Sequence, residues 1–220
     1  MRLRAITGMT SEARIAERAG IEAMASGGVA ATTEMLIRDA DRLISFGIAG
    51  ALAPRLVPGT LLLPHDVIDE NGARYPIDAA WRSRVLAALR SAGLVAEEGT
   101  LIGTSEAAAS VTQKAGLFAR TGAIAVDLES HIVARAAKPF LVLRAVADPA
   151  SRDLPPAALV GLAPSGAPAI GAVLVSLAWD PTQLPALLRL AGDSRRALSA
   201  LGSALAQGAV RDALASGGDA

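Results

Sequence analysis

The chain has 220 residues, with 21 basic and 21 acidic side chains and no cysteine. A formal net charge of zero argues against a nucleic-acid-binding protein, and two Trp, one Tyr and three Phe are too few for a base-stacking platform. The lack of cysteine excludes disulfides, thiol nucleophiles and thiolate metal sites, and only two histidines argue against a His-rich metal centre. The length fits one α/β domain spanning residues 1–220.

The first part of the chain alternates between short apolar runs and helical patterns. Strands are predicted over residues 3–7, 21–25, 42–46, 60–63 and 100–103. Helices are predicted over residues 29–38, 81–92 and 107–119. Asn71-Gly72 predicts a hairpin turn within a polar segment at 65–76. This alternation predicts a single α/β domain with a mostly parallel sheet that is covered on both faces.

The segment 123–148 carries the densest signal. The runs AIAV and FLVLRAVA are typical of buried strands, and LESHIVARAAK between them is helical, so a parallel βαβ unit is predicted. Asp127, Glu129 and Asp148 follow the two strands, at the sheet edge where α/β proteins bind ligands. Arg144 lies inside the second apolar run and needs a buried partner, for which Glu106 and Asp127 are the candidates.

No charged residue occurs between Asp153 and Asp180. Prolines and glycines interrupt this stretch and leave only AIGAVLVSLAW as a helix, which is too short to span a bilayer. A buried helix with an apolar loop is the favoured interpretation of residues 154–179; a pocket rim or a membrane-touching surface stays open. Two helices, at 184–190 and 194–206, and a loose tail at 208–220 are predicted to follow.

Acids recur at predicted strand ends, and they include Glu12, Glu106 and Glu129. A glycine-rich turn follows the third strand at 47–50, but neither a phosphate-binding loop nor a dinucleotide fingerprint is present. Carboxylates accept hydrogen bonds from vicinal hydroxyls, and a carboxylic acid kept protonated by burial can donate to a leaving group. The pattern therefore favours a small polyol or a nucleoside as ligand.

Three ordered patches of this sequence resemble a known family. They are GMTSE at 8–12, FGIAGAL at 46–52, and the pair VDLES at 126–130 and RAVAD at 144–148. The chain resembles the purine nucleoside phosphorylase and methylthioadenosine/S-adenosylhomocysteine nucleosidase superfamily up to about residue 151. The resemblance implies a three-layer αβα phosphorylase/hydrolase-like fold with a central mixed, mostly parallel twisted sheet. Within that superfamily, the TGMxxEARI opening, LESHIVARAA and RAVADPAxRxLPPAA are most similar to the hopanoid-associated phosphorylases.

The resemblance also implies roles for individual residues. Asp148 matches the acid that protonates the purine at N7, and Glu12 matches the carboxylate that orients the attacking water. Glu129 matches the glutamate that holds the ribose hydroxyls, and Leu128 takes the place of a methionine beneath the ribose. The loop facing the nucleophile is represented by Ile48, Ala49 and Gly50.

Three positions depart from the family pattern. Ile48 replaces a hydroxyl residue that helps to hold the nucleophile or phosphate, Ala147 replaces a serine that supports the aspartate, and Ala108 stands near the place of an aromatic ring against the base. If phosphate were the nucleophile, Arg14 is the nearest candidate cation. Ile48 and Glu12 together tilt the expectation towards water.

The resulting expectation is an enzyme that cleaves the N-ribosidic bond of an adenine nucleoside, with adenosylhopane converted to ribosylhopane and adenine. Two alternatives stay open: the same chemistry on a soluble substrate such as methylthioadenosine, and a non-catalytic nucleoside-binding protein. No cofactor or metal is expected, and phosphate would be a co-substrate only for a phosphorylase. The expected setting is cytoplasmic, as a homo-oligomer, with peripheral membrane contact left open and no nucleic-acid partner.

Overall fold

The computed structural model describes residues 1–216. The strands are β1 (Leu3–Thr7), β2 (Ala23–Ala25), β3 (Arg42–Ala51), β4 (Leu61–Leu62), β5 (Asp66–Ile68), β6 (Arg74–Pro76), β7 (Ala96–Glu97), β8 (Thr100–Gly103), β9 (Ala125–Asp127) and β10 (Phe140–Asp148). The helices are α1 (Thr10–Arg18), α2 (Ala30–Leu36), α3 (Ala79–Ser91), α4 (Val111–Thr121), α5 (Ser130–Arg135), α6 (Pro156–Leu159), α7 (Ile170–Trp179), α8 (Leu184–Ala206) and α9 (Gly208–Ala215), with a 3₁₀ turn at Pro181–Gln183.

All these strands form one mixed sheet in the order β6-β5-β8-β9-β3-β10-β4-β7, with β1 and β2 branching from β3. The branch arises because β3 is long: its first half pairs with β1, and its last residues pair with β9 on the same side. Parallel pairings dominate, since β1, β10, β5 and β8 all run parallel to a neighbour. The predicted α/β class with a mixed, mostly parallel sheet flanked by helices is confirmed.

The prediction of a parallel βαβ unit over 123–148 is wrong. β9 and β10 lie on opposite sides of β3, and β9 runs antiparallel to β3 whereas β10 runs parallel to it. The reason is that residues 47–50, predicted as a turn, continue β3 and, with Ala51, provide the edge on which β9 pairs. Gly50 pairs with Val126 on one side and with Asp148 on the other, which brings the acids after both strands to the same place.

Two helices, α4 and α8, also differ from the predicted ones in their extent. α4 begins at Val111 instead of residue 107, because the Ser110 hydroxyl accepts a hydrogen bond from the N–H of Gln113 and caps the helix there. α8 is one continuous helix where two were predicted.

The prediction of a loose tail at 208–220 is wrong for its first part. Residues 208–215 form α9, in which Val210 and Leu214 are buried. The indole N–H of Trp81 donates to the carbonyl oxygens of Ala213 and Leu214, at 3.1 and 3.2 Å, and so fastens α9 to α3. Residues 217–220 of the predicted tail lie outside the described residues.

The uncharged segment also differs from the favoured prediction of a buried helix. α7 forms where a helix was predicted, but none of its residues is buried. Ile170, Leu174 and Trp179 are 66%, 60% and 87% exposed. Between residues 1 and 216, no helix is both long enough and apolar enough to cross a membrane.

Candidate active site

A cavity of about 540 Å³ lies where β1, β3, β9 and β10 end. Four carboxylates contribute to its walls, from Glu12, Asp127, Glu129 and Asp148. The opposite wall is apolar and comes from the uncharged segment and α8. It includes Leu162, Pro168, Val173 and Leu187. A cavity of this size, with few polar groups and much apolar surface, is typical of a small-molecule site.

Glu12 is held rigidly by backbone donors. It lies in the first turn of α1, where its Oε2 accepts the N–H of Met9 at 2.7 Å and its Oε1 accepts the N–H of Ile48 at 2.7 Å. The second bond ties α1 to β3 across 36 residues of sequence. Burial raises the pKa of Glu12, against the opposing influence of Arg144 and of these backbone donors. A fixed carboxylate of raised pKa is suited to accept a proton from a water molecule.

Arg144 binds two of the other three carboxylates, Asp127 and Glu129. Its Nη2 lies 2.7 Å from Asp127 Oδ2 and 2.9 Å from Glu129 Oε2, and it donates to the hydroxyl of Ser45 at 2.6 Å. Asp127 is therefore the buried partner that the sequence required. The other candidate, Glu106, is exposed and outside the cavity wall. Besides forming this buried ion pair, the side chain of Arg144 lines the cavity.

The buried cluster of Glu12, Asp127, Glu129 and Arg144 is unbalanced in charge, with three carboxyl groups and one guanidinium. Burial and the charges of Asp127 and Glu12 together raise the pKa of Glu129 to about 7, against the opposing charge of Arg144. Since like charges in a low dielectric cannot all ionise, this cluster holds a proton close to neutral pH. Glu129 thus changes charge close to neutral pH.

Gly47 makes this cluster possible. Its φ is 148°, and a Cβ atom built there would lie 2.5 Å from Glu12 Oε1 and 2.8 Å from Arg144 Nη1.

We expect Gly47→Ala to lower the free energy of unfolding by about 3 kcal/mol, through strained backbone and overpacking together. Gly72→Ala is the matched control, because Gly72 has φ +83° but nothing within 4 Å of its Cβ position. It should cost about 1 kcal/mol, from backbone strain alone. Equal losses in urea denaturation of the two variants would contradict this account.

Asp148 lies at the end of β10, against an unexpected partner. Its Oδ2 is 2.6 Å from the Nζ of Lys114, whose side chain is completely buried. Burial raises the pKa of Asp148 and the ion pair with Lys114 opposes the rise. Lys114 was missed because a lysine on an amphipathic helix is ordinarily solvated, and nothing in its spacing marks it as buried.

The remaining predicted site residues divide into two groups. Leu128, Ile48, Ala49 and Gly50 all line the cavity, as do the departing positions Ala108 and Ala147. Arg14 is exposed on α1 and is not part of the cavity wall, so the structure does not bring it together with the carboxylates. His131 is buried on α5 and is also outside the wall.

Comparison with known proteins identifies the family. A family model described as the phosphorylase superfamily matches residues 2–161. The chain belongs to this superfamily. The match confirms the family resemblance at this level and, with it, an enzyme of the nucleosidase or phosphorylase kind. No curated protein sequence is significantly similar to the chain.

Solved structures of the superfamily share the fold. The 5'-methylthioadenosine/S-adenosylhomocysteine nucleosidase of Neisseria meningitidis, in complex with methylthio-immucillin-A, is 16% identical with a TM-score of 0.68, over 96% of this chain and 99% of that one. The corresponding Helicobacter pylori nucleosidase is 15% identical with a TM-score of 0.65, over 94% and 98%. Futalosine hydrolase of Helicobacter pylori is 16% identical with a TM-score of 0.64, over 94% and 97%.

Proposed function

We propose that this superfamily member cleaves the N-ribosidic bond of an adenine nucleoside and releases adenine. The observation that carries the proposal is the placement of carboxyl groups along β3. A Cβ at Gly47 would touch Glu12, and one at Gly50 would lie 3.6 Å from Asp148 Oδ2. Three residues of strand separate these glycines by roughly 10 Å. That spacing lets one carboxyl group act at the base and the other at the far side of the sugar.

Each carboxyl group then has a distinct step. Asp148, protonated in its buried position, donates its proton to N7 of adenine as the bond between C1' and N9 breaks and its electron pair passes to the base. Glu129 accepts hydrogen bonds from the ribose hydroxyls and fixes the sugar geometry. Glu12 accepts a proton from the water that attacks C1', so the products are adenine and a free ribose end.

The charge of the cavity favours water over phosphate as the nucleophile. Among the described residues of its wall, Arg144 is the sole cation, and it is already engaged by Asp127 and Glu129. An incoming phosphate dianion would therefore meet the carboxylates without a free positive partner. We expect adenine release to be independent of added phosphate, with ribose and not ribose 1-phosphate as the second product. A requirement for phosphate would contradict this assignment.

The apolar wall supports a hydrophobic substituent on the sugar. Leu162, Pro168 and Val173 come from the uncharged segment and line the same cavity as the carboxylates. Removing apolar surface from water contributes about 25 cal/mol per Å². We therefore favour a lipid-linked adenine nucleoside, with adenosylhopane as the specific candidate from the sequence resemblance. Methylthioadenosine, a smaller nucleoside with an apolar 5' group, is the alternative.

The outer face of α7 supports a second part of the proposal, peripheral contact with a membrane. Val173 lines the cavity while Ile170, Leu174, Val175 and Trp179 are exposed on the same short helix. A membrane-bound substrate could thus pass from the bilayer to the cavity along one uncharged element. Sedimentation with liposomes should recover the wild type and lose Leu174→Glu. A homodimer that persists without lipid, and that Leu174→Glu dissociates, would instead assign this face to a second copy.

The deciding experiment measures free adenine after incubation of the purified protein with adenosylhopane, methylthioadenosine, S-adenosylhomocysteine and adenosine. We expect release, fastest from the substrates with apolar 5' groups. No release from adenosylhopane, with release from methylthioadenosine, would overturn the lipid assignment alone. Binding of these nucleosides without any adenine release would overturn the enzymatic proposal and favour a nucleoside-binding protein.

A further inference from the structure

Lys114 stands out among the buried charged groups because the cavity does not contain it. Its side chain is fully buried behind Asp148, and its Nζ has three oxygen partners. These are Asp148 Oδ2 at 2.6 Å and the carbonyl oxygens of Pro149 at 3.1 Å and Arg152 at 2.6 Å. An ammonium group has three protons, so this environment satisfies it completely. The two carbonyl groups belong to the turn that directly follows Asp148.

We propose that Lys114 is a positioning residue for the proton donor Asp148, holding its carboxyl group at the cavity and stabilising the carboxylate that forms when the proton leaves. This inference rests on the proposed function. Before the transfer, Asp148 is neutral and Lys114 donates to one of its oxygens. After it, the carboxylate is an anion in a buried site beside a cation. The interaction is therefore stronger in the transition state than in the ground state, which is the condition for accelerating the reaction.

The contact from Lys114 also takes the place of a supporting hydroxyl group that this chain lacks next to Asp148. The family pattern places a serine before the aspartate, and this chain has Ala147 there. Without a hydroxyl from that position, the orientation of Asp148 comes from the other side, through α4. Because Lys114 also binds the carbonyl oxygens of Pro149 and Arg152, it fixes the backbone on the C-terminal side of Asp148 as well as its side chain.

The charges around Asp148 make its dependence on Lys114 testable. Besides Lys114 on α4, Asp148 feels Arg152 in the loop after β10 and Asp193 on α8. Arg152 is itself paired with Asp193, and Arg196 also binds Asp193, at 2.6 Å. Lys114 is therefore the one cation in direct contact with Asp148 in the described part of the chain. Removing it takes away the largest influence that opposes the rise of the Asp148 pKa on burial.

We expect Lys114→Met and Lys114→Gln to lower kcat for adenine release by about 10²-fold. Activity requires protonated Asp148, so the rate falls as pH rises through its pKa. Loss of the adjacent positive charge raises that pKa, and the alkaline limb of the kcat profile should move up by roughly one to three pH units. Lys114→Arg keeps the charge and should keep the limb near its original position.

Lys138 provides a matched control. It is the other of two lysines in the chain. Its Nζ also binds three oxygens, the carbonyl groups of Ile37, Arg38 and Ala40, but no carboxylate. Lys138→Met should lower the melting temperature without moving the pH profile. A Lys114→Met enzyme whose kcat falls with an unmoved alkaline limb would reduce Lys114 to a structural role and overturn the inference, while the proposed function stands. Absence of adenine release by the wild type would overturn both.

A measurement on the wild type keeps the inference testable if the neutral variants do not fold. Protein labelled with ¹⁵N-lysine has two ammonium signals, which Lys138→Met assigns. With Lys114 bound to Asp148, the Lys114 signal should shift at the pH where the Asp148 carboxyl titrates, and the Lys138 signal should not. A Lys114 signal that ignores this titration would contradict the proposed coupling.

Discussion

Replacing Asp148 by Asn is expected to lower kcat for adenine release by about 10²–10⁴-fold while nucleoside binding persists. The amide has nearly the same shape as the carboxylic acid but cannot give a proton to N7. The change also removes the carboxyl group that the ammonium of Lys114 contacts at 2.6 Å and that becomes its counter-ion once the proton has left. Single-turnover release of adenine separates the chemical step from binding, and circular dichroism reports whether the variant is folded.

Asp153→Asn is the control for Asp148→Asn. Asp153 is exposed, lies outside the cavity wall, and accepts the N–H of Val111 at 2.6 Å, a bond that asparagine can also accept. This variant should keep the wild-type rate. An Asp148→Asn enzyme that is folded and as fast as Asp153→Asn would remove Asp148 from the mechanism and leave adenine departure without a proton donor.

Arg144→Met is expected to be the most destabilising single change near the site. Its guanidinium is buried and neutralises part of a cluster of three carboxyl groups, two of which it contacts at 2.7 and 2.9 Å. Removing one partner of a buried ion pair costs about 3–5 kcal/mol, because the remaining charges stay buried without compensation. Chemical denaturation should therefore show this loss in the free energy of unfolding.

Arg135→Met tests whether burial of the ion pair explains the large loss of stability expected for Arg144→Met. Arg135 pairs with Asp69 at a similar distance, 2.6 Å, but its side chain is 44% exposed. Its loss should cost about 1 kcal/mol or less. Adding Glu129→Gln to Arg144→Met removes one of the stranded charges and should recover part of the stability. If the Arg144 and Arg135 variants were equally stable, the charge imbalance would not govern the folding of the site.

Much of the site was predictable because its acids follow strands directly. Glu12, Glu129 and Asp148 stand at strand ends in the sequence, and the fold gathers these ends at one cavity. The direction of β9 was not predictable, because it depends on β3 extending through its glycine-rich end, and local pattern cannot distinguish that extension from a turn. Pairing in space, not spacing along the chain, decides it.

The burial of Lys114 and the exposure of α7 were not predicted, for opposite reasons. Lys114 is a charged residue that is buried, because a carboxylate and two carbonyl groups from a distant loop surround it. α7 is an apolar helix that is exposed, because no other element within residues 1–216 covers its outer face. In each case the hydrophobicity of the residues predicts burial wrongly. Whether a residue is buried depends instead on whether another part of the fold packs against it.

The two walls of the cavity have a consequence for evolution. The family match covers residues 2–161 and so includes the four carboxylates, whereas Leu162, Pro168 and Val173 of the apolar wall lie beyond it. The residues proposed for bond cleavage and those proposed to accommodate the sugar substituent therefore lie in consecutive parts of the chain. Selection can exchange the second part while the first is kept, and a chimaera carrying another relative's segment in place of 154–183 should inherit that relative's substrate range.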